Sequence, residues 1–410
     1  IYSGTLAIEY KHIQSAEEYK WLKDRIEEKK DMLLTPKGKR TILERLINAE
    51  YFEKFLDTKY RGTKRFGLEG AESTIPALEQ ILKRSSEYGV EDFSFACAHR
   101  GRLNILANIV KKPHVQIFSE FIHGGENALS DQGSGDVKYH LGWTSERTSS
   151  SGKKINMNLA PNPSHLESVD PIVQGIARAK LENDFDNDTN KVLPIIVHGD
   201  AAVAGQGVVY EVIQMSRLKG YSTGGTIHLI VNNQVGFTTN YLDARSSTYC
   251  SDVGKVTLSP VLHVNSDDVE AVIHAVTFAL EYRDKFNRDV FIDLLGYRKY
   301  GHNEGDEPRF TQPKLYKNIS KHPNSRDIYA SKLIEGGIIN ENYLKTLEEN
   351  YKFSLEKNLT DSRKLKKTVI NPFMYDEWKN IAPYIERVDE FAMKKQVVTK
   401  VCIESLTEVA

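Results

Sequence analysis

The chain has 410 residues, of which 40% are apolar and 27% charged, and its formal net charge is -1. A chain of this length folds into roughly two or three domains with sizeable cores. The near-zero net charge gives no sign of a nucleic-acid partner. The longest apolar runs, such as residues 192–197, are far shorter than the roughly 20 residues of a membrane-spanning helix. We therefore expect neither nucleic acid nor a membrane as a partner.

The cysteines and the two chain ends carry further information. Cys97, Cys250 and Cys402 lie far apart and form no C-x-x-C pair, which favours a reducing compartment over a disulfide scaffold. The chain begins at Ile1 within sequence that already has a structured pattern, and it ends at Ala410 within a helical pattern. We therefore expect it to be a fragment of a longer protein.

In chain order, three regions differ in their hydrophobic pattern. Residues 1–64 are predicted to be a helical lead-in, because apolar residues between positions 14 and 60 recur three and four apart. In residues 65–320, short apolar runs alternate with helix-length segments, whereas residues 321–410 return to a charged helical pattern and are interpreted as a truncated helical connector. The predicted strands cover residues 93–99, 155–161, 192–200, 226–233, 261–268 and 289–298. The Gly- and Ser-rich residues 123–153 are predicted to form a long loop.

Apolar strands that alternate with amphipathic helices predict an α/β fold, with a mostly parallel sheet and helices on both of its faces. Ligands of such sheets bind beyond the carboxyl ends of the strands. Polar and ionisable residues follow the predicted strands at these ends, namely His99 and Arg100, residues 161–165, Asp200, Asn232 and Asn233, and residues 301–304. The binding site is therefore predicted at this edge of the sheet.

A magnesium site is predicted where two of these strands end. Mg²⁺ binds about six oxygen ligands and commonly takes carboxylates together with substrate phosphates. Asp200 offers a carboxylate, Asn233 an amide oxygen and Val235 a backbone carbonyl, while Gly205 and Gly207 open a helix whose N–H groups suit phosphate. Taken singly, Asp200 is also compatible with a helix cap and the asparagines with a turn. The sequence contains neither a P-loop nor a dinucleotide-binding glycine motif.

Gly-Asp followed about thirty residues later by Asn-Asn resembles the signature of thiamine-diphosphate enzymes, although Ala201 stands where that signature usually has glycine. The resemblance extends over nearly the whole chain to the thiamine-dependent decarboxylating component of the 2-oxoglutarate dehydrogenases. The 2-oxoadipate enzymes are a sibling group. The segments that carry the resemblance, in the same order, are RFGLEGAES (65–73), HRGRLN (99–104), GDVKYHLG (135–142), NPSHLE (162–167), GDAAVAGQGVVYE (199–211), NNQVGFTT (232–239), RSSTYCSD (245–252), HVNSDD (263–268) and GHNEGDEPRFTQP (301–313).

The resemblance implies roles for individual residues. It implies that Asp200, Asn233 and the carbonyl of Val235 hold magnesium. It implies that a second set of residues lines the cofactor together with these three, namely Arg100, Ser164, Leu166, Ala201 and Ala202. His140 and Ser164 are expected beside the 2-oxo acid, and His99, His140 and His302 are the expected catalytic histidines. A lone histidine is more often structural, and we expect that of His228 and His274.

The resemblance also implies an activity. This is the oxidative decarboxylation of 2-oxoglutarate with thiamine diphosphate and magnesium, followed by succinyl transfer to a lipoyl group of a partner acyltransferase in the citric acid cycle. The expected full-length protein is a homodimer, cytoplasmic in a bacterium or in the mitochondrial matrix of a eukaryote. Two alternatives stay open. One is 2-oxoadipate as the substrate, since one methylene is worth only about 1–3 kcal/mol in a pocket. The other is a catalytically incomplete half-enzyme that binds magnesium and diphosphate but lacks the N-terminal segment and the pyrimidine-binding and C-terminal domains.

Overall fold

The computed structural model describes residues 4–28, 34–123, 137–149, 152–365 and 373–374. The chain divides into two units, residues 1–373 and residues 374–410. Beyond residue 365, only residues 373 and 374 of the predicted connector are described. None of the helices in the described ranges combines the length and the apolarity needed to cross a lipid bilayer.

One mixed sheet forms the centre of the fold. Eight of the described strands lie in it in the order β1-β9-β10-β6-β5-β2-β4-β3, and β7 and β8 form a separate hairpin. The inner six strands are parallel, whereas β1 and β3 pair antiparallel at the two edges. The strands are β1 (Leu6–Glu9), β2 (Asp92–Cys97), β3 (Trp143–Thr148), β4 (Lys154–Leu159), β5 (Val192–Gly199), β6 (Ile227–Asn232), β7 (Val235–Gly236), β8 (Thr239–Asn240), β9 (Val261–Asn265) and β10 (Val290–Leu295).

All six predicted strands are confirmed, and they are the six parallel strands. The prediction of a loop over residues 123–153 is wrong for His123, which ends a helix, and for residues 143–148, which form β3. Residues 124–136 and 150–151 of the predicted loop lie outside the described residues. β3 was missed because it is an edge strand, and its sequence, WTSERT, lacks the apolar content of a buried strand. Trp143 is buried, whereas Thr144 and Glu146 are exposed.

Helices cover both faces of the sheet, as predicted. On β5, Ile195 packs in a core with Leu78 of α3 and Val276 of α10, whereas the next residue, Ile196, packs on the opposite face with Val173 of α6. This alternation is the expected result of the two-residue period of a strand. The helices are α1 (Ala16–Glu27), α2 (Pro36–Lys59), α3 (Thr74–Tyr88), α4 (Arg102–Asn108), α5 (His114–His123), α6 (Asp170–Asp184), α7 (Asp200–Gly205), α8 (Gly207–Met215), α9 (Tyr241–Ala244), α10 (Val269–Phe286), α11 (Pro313–Ile319), α12 (Ser325–Glu335) and α13 (Glu341–Ser362).

The lead-in is helical, as its periodicity predicted, and each helix has a local start signal. Ser15 accepts the N–H of Glu18 at the start of α1, and Thr35 accepts that of Gly38 at the start of α2. The lead-in also contributes β1, which pairs with β9. The division of the chain at residues 64 and 320 stays a prediction.

Candidate active site

The predicted magnesium residues lie at the ends of two neighbouring strands. β5 and β6 run parallel with Gly199 opposite Val231, so the residues that follow them lie side by side. Asp200 is buried, and its carboxylate accepts the backbone N–H of Asn233 from the next strand. Burial raises the pKa of Asp200 to about 6, and the positive charge of Arg245 opposes this rise. The two loops are therefore joined at the carboxylate itself.

The turn after Asn233 completes this corner of the site. The side-chain oxygen of Asn233 accepts the N–H of Val235 at 3.2 Å, and Gln234 between them has a positive φ of 66°. Gly236 leaves no room for a side chain, because a Cβ placed there would lie 2.7 Å from the Cβ of Ala201. We call Asp200, Asn233, Val235 and Ala201 the magnesium corner. Its amide oxygen keeps a second lone pair for an ion.

The two alanines after Asp200 differ in exposure. Ala201 is exposed at the start of α7, whereas the side chain of Ala202 is buried. Only the backbone of Ala202 could therefore meet a cofactor. The start of α8 at Gly207 is exposed on the same connection, and its free N–H groups suit a phosphate.

Two of the predicted catalytic histidines lie together on the other side of the site. The ring centroids of His99 and His302 are 5.5 Å apart, and Phe66 packs on His99 at 4.1 Å. Burial lowers the pKa of His99 to about 3 and that of His302 to about 4, and the charge of Arg100 adds to both shifts. Both rings are therefore neutral at physiological pH, so each offers one N–H donor and one acceptor nitrogen.

Arg100 is held between segments far apart in sequence. It donates to the carbonyl oxygens of Gly67 at 3.1 Å and His302 at 2.6 Å. Burial lowers its pKa to about 10, so its guanidinium stays charged at neutral pH. Arg100 therefore joins the loop after β2 to the loop after β10 and brings a positive charge to the histidines.

His140 and Ser164 form the third part of the site. The Oγ of Ser164 lies 3.4 Å from Nε2 of His140, and Ser164 is exposed while His140 is buried. The N–H of Asn162 donates to the carbonyl of His140 at 2.9 Å, which joins the two loops. Leu166 is half-buried in the same loop as Ser164. We call His99, His140 and His302 the histidine cluster, because a positive charge on either of the other two rings lowers the pKa of His99.

Phe237 connects the magnesium corner with the histidine cluster. Its ring lies edge-on to that of His302 at 4.8 Å between centroids, and its carbonyl accepts a hydrogen bond from Arg298 at 3.0 Å. Phe237 has a φ of 54°, in the left-handed region, and its side chain is 60% exposed. An exposed aromatic ring on strained backbone beside a cleft is typical of a functional loop.

Comparison with known proteins identifies the family of this chain. Residues 44–370 match the model of a family described as the dehydrogenase E1 component. The chain is 50% identical over 366 residues to the 2-oxoglutarate dehydrogenase E1 component of Brucella anthropi, and 48% identical over 365 residues to that of Brucella canis. The chain belongs to the dehydrogenase E1 component family. Each match covers 87% of this chain and 36% of the relative, so the chain spans about a third of the length of these relatives.

Membership of the E1 family implies thiamine diphosphate as the cofactor, and the residues of the magnesium corner fit its diphosphate end. The buried carboxylate of Asp200 follows β5, and the amide oxygen of Asn233 and a glycine that leaves no space for a side chain, Gly236, follow the adjacent strand β6. Such an oxygen-rich donor set is the kind that magnesium prefers. The roles of the individual residues stay predictions.

Glu304 is a structural residue of this E1 chain whose partner the sequence did not reveal. Its carboxylate accepts the backbone N–H groups of Arg65 at 2.8 Å, Phe66 at 3.2 Å and Gly67 at 3.0 Å. It thereby holds the loop that carries Phe66 against the histidine cluster. Glu304 lies in the motif over residues 301–313, which marks that segment as important. Nothing in the sequence, however, indicated that this segment contacts residues 65–67.

A buried cluster behind the E1 site was also not foreseen. Glu167, in left-handed backbone at φ 68°, lies 2.6 Å from Nδ1 of His198, whose Nε2 lies 3.0 Å from His228. Glu167, Asp170 and His198 place ligand-type atoms within 4.8 Å of one another, but the hydrogen bond between Glu167 and His198 already occupies two of them. The cluster attaches the loop of Ser164 to β5, and His228 has the buried environment of a structural residue.

Proposed function

We propose that this chain supplies the magnesium- and diphosphate-binding side of a thiamine-diphosphate-dependent 2-oxoglutarate dehydrogenase E1 component. The observation that carries the proposal is the magnesium corner, in which the carboxylate of Asp200 accepts the backbone N–H of Asn233 from the adjacent parallel strand. The names and identities of the Brucella relatives support 2-oxoglutarate as the substrate.

In this proposal, the chain's own residues bind and orient the reactants. Asp200, Asn233 and the carbonyl of Val235 hold magnesium, and the N-terminal N–H groups of α8 meet a phosphate. The cofactor, when bound, supplies the electron-accepting ring that makes decarboxylation of a 2-oxo acid possible. Arg100 contributes positive charge to the cofactor side of the cleft.

The histidine cluster is proposed to bind the substrate. Because His99 and His302 are neutral, their N–H groups can donate to a carboxylate or to a developing oxyanion without adding a fixed charge. The pair of His140 and Ser164 offers further donors at the exposed side of the cleft. Burial of both rings strengthens these hydrogen bonds by excluding water.

For the whole protein we propose the activity of its named relatives. The succinyl group would pass to a lipoyl group on a partner acyltransferase within a multienzyme complex of the citric acid cycle. The same proposal includes a homodimer, located in the cytoplasm of a bacterial source or in the mitochondrial matrix of a eukaryotic one.

Two measurements on the purified chain test the proposed function. The first is calorimetric binding of thiamine diphosphate with Mg²⁺, for which we expect saturable, magnesium-dependent binding. The second is carbon dioxide release from 2-oxoglutarate and then from 2-oxoadipate, in which the preferred acid identifies the substrate. Binding without release would assign only the cofactor-binding side to this chain. Absence of magnesium-dependent binding would contradict the proposal.

A further inference from the structure

A cavity of about 480 Å³ lies directly beside the magnesium corner. Its lining includes Asn232 and Gln234, the two neighbours of Asn233, together with Arg245 and Tyr249 from the loop after α9. The cavity therefore opens where β6 ends, next to the predicted metal ligands. Nothing in the proposed function uses Arg245, although it lies in one of the segments on which the resemblance rests.

Arg245 is half-buried and lacks the hydrogen-bond partners that the buried arginines Arg102 and Arg283 have. Its guanidinium lies over the ring of Tyr241, 5.5 Å from the centroid, and its Nε is buried without a hydrogen-bond partner. Within the described ranges no acidic side chain forms an ion pair with it. By contrast, Arg102 donates to three buried backbone carbonyls and Arg283 to three others. A buried donor without a partner costs about 1–3 kcal/mol, so a ligand is the expected partner of Arg245.

The charged groups near Arg245 favour an anion as its ligand. The acid that lines the same cavity, Asp293, is already bonded to Asn232 at 2.9 Å and to His263 at 2.9 Å. The charge of Arg245 also lies near enough to Asp200 to act on its carboxylate. An anion bound between Arg245 and a metal at Asp200 would therefore meet positive charge from both sides.

A diphosphate meets these requirements. One magnesium ion neutralises only part of the charge of a diphosphate and of the Asp200 carboxylate, so a further cation stabilises the bound group. The planar guanidinium can donate two parallel hydrogen bonds to phosphate oxygens, which a lysine cannot do. Stacking on Tyr241 fixes its plane before a ligand binds.

We propose that Arg245 is a further phosphate-binding residue of this chain, and that its guanidinium contacts the diphosphate group held at Asp200 and Asn233. This inference rests on the proposed function, because it takes the magnesium corner as the position of the metal.

Binding of inorganic pyrophosphate with Mg²⁺ tests the inference on the diphosphate side alone. Isothermal titration calorimetry would compare the parent chain with Arg245→Gln, Arg245→Lys and Arg84→Gln. The matched control is Arg84, which also lies over a tyrosine ring, that of Tyr88 at 5.2 Å, but is paired with Glu87 on the distant helix α3. We expect Arg245→Gln to weaken binding about 10- to 100-fold, the range of a lost charge-assisted contact. Arg245→Lys should give a smaller loss, and Arg84→Gln no change.

The outcomes separate this inference from the proposed function. Pyrophosphate binding that is equal in the parent and in Arg245→Gln would overturn the role of Arg245 and leave the magnesium corner intact. No binding by the parent would overturn both. If circular dichroism shows that Arg245→Gln is unfolded, the affinity of Arg245→Lys tests the inference instead. Lysine keeps the charge but cannot form two parallel hydrogen bonds, so unchanged affinity in folded Arg245→Lys would contradict the proposed contact. Thiamine diphosphate should show the same ranking of variants, and a different ranking would place Arg245 away from the diphosphate.

Discussion

The magnesium corner and the histidine cluster are assembled in different ways. The corner comes from two adjacent parallel strands, and its residues lie within the first few positions after each strand. The cluster comes from three loops, after β2, before β3 and after β10, whose residues are up to about two hundred positions apart. The corner therefore depends on strand order, whereas the cluster depends on long-range hydrogen bonds such as those of Arg100 and Glu304.

This difference has consequences for stability and binding. Removing a residue of the corner removes a proposed ligand and should affect binding more than folding. Removing a residue that holds the histidine cluster leaves buried polar groups unpaired and should affect folding first. The four variants below separate the two cases.

The largest effect is expected for Arg102→Met, which acts on the support of the histidine cluster. Arg102 is fully buried and donates to the carbonyl oxygens of Cys97, Leu141 and Ala160 at 2.6, 2.9 and 2.6 Å. Methionine leaves these carbonyls unpaired, so the free energy of unfolding in urea should fall by about 4 kcal/mol. The control is Arg178→Met, at a part-exposed ion pair on α6. Equal losses in both variants would contradict the role of Arg102.

Asp200→Ala should have the next largest effect, on binding at the magnesium corner. The variant removes the carboxylate proposed to bind magnesium, so the affinity for magnesium and pyrophosphate should fall at least about 100-fold, or about 2.7 kcal/mol. Stability without ligand should change little, because relief of the burial cost of the charged carboxylate offsets the loss of its hydrogen bond from the N–H of Asn233. Calorimetry measures the binding, with Asp284→Asn on the exposed side of α10 as the control. Parent-like affinity in Asp200→Ala would remove Asp200 from the metal site.

Glu304→Gln tests the loop that carries Phe66. The carboxylate accepts three backbone N–H groups from residues 65–67, and an amide keeps only one accepting oxygen. We expect a loss of about 2 kcal/mol in the free energy of unfolding. Glu307→Gln, whose carboxylate pairs with the exposed Arg309, should cost much less because surface ion pairs contribute little. A loss in Glu304→Gln no larger than in this control would show that the three bonds do not hold the loop.

The smallest effect concerns pH. His99 and His302 have pKa values of about 3 and 4 in the folded chain, below their ordinary value of 6.5. Between pH 6.5 and 4 the unfolded chain therefore binds protons that the folded chain does not, and stability falls as pH falls. Each such histidine contributes a slope of up to about 1.4 kcal/mol per pH unit. Urea titrations between pH 7 and 4.5 should show a shallower slope in His99→Gln. The exposed His165→Gln is the control, and equal slopes in His99→Gln and the parent would contradict the burial argument.

Most of the sheet and the magnesium corner could be predicted from sequence. The six parallel strands are apolar on both faces, so each is visible as a short apolar run, and the residue after each run marks the binding edge. Asp200 and Asn233 each follow such a run, so their position side by side is predictable from the sequence. Edge strands were harder, because β1 and β3 are short, partly exposed and paired on one side only.

The sequence by itself determined where the parallel strands and their helices lie along the chain and which polar residues follow the strands, because these features depend on local periodicity and on the residues at strand ends. Only the tertiary structure decided how the distant loops pair. Glu304 meets the backbone of residues 65–67 across more than 230 positions, and Arg245 keeps a buried Nε without a hydrogen-bond partner beside a cavity. Hydrophobic periodicity reports whether a residue is buried. Which polar groups share that burial is set by the packing of the whole chain.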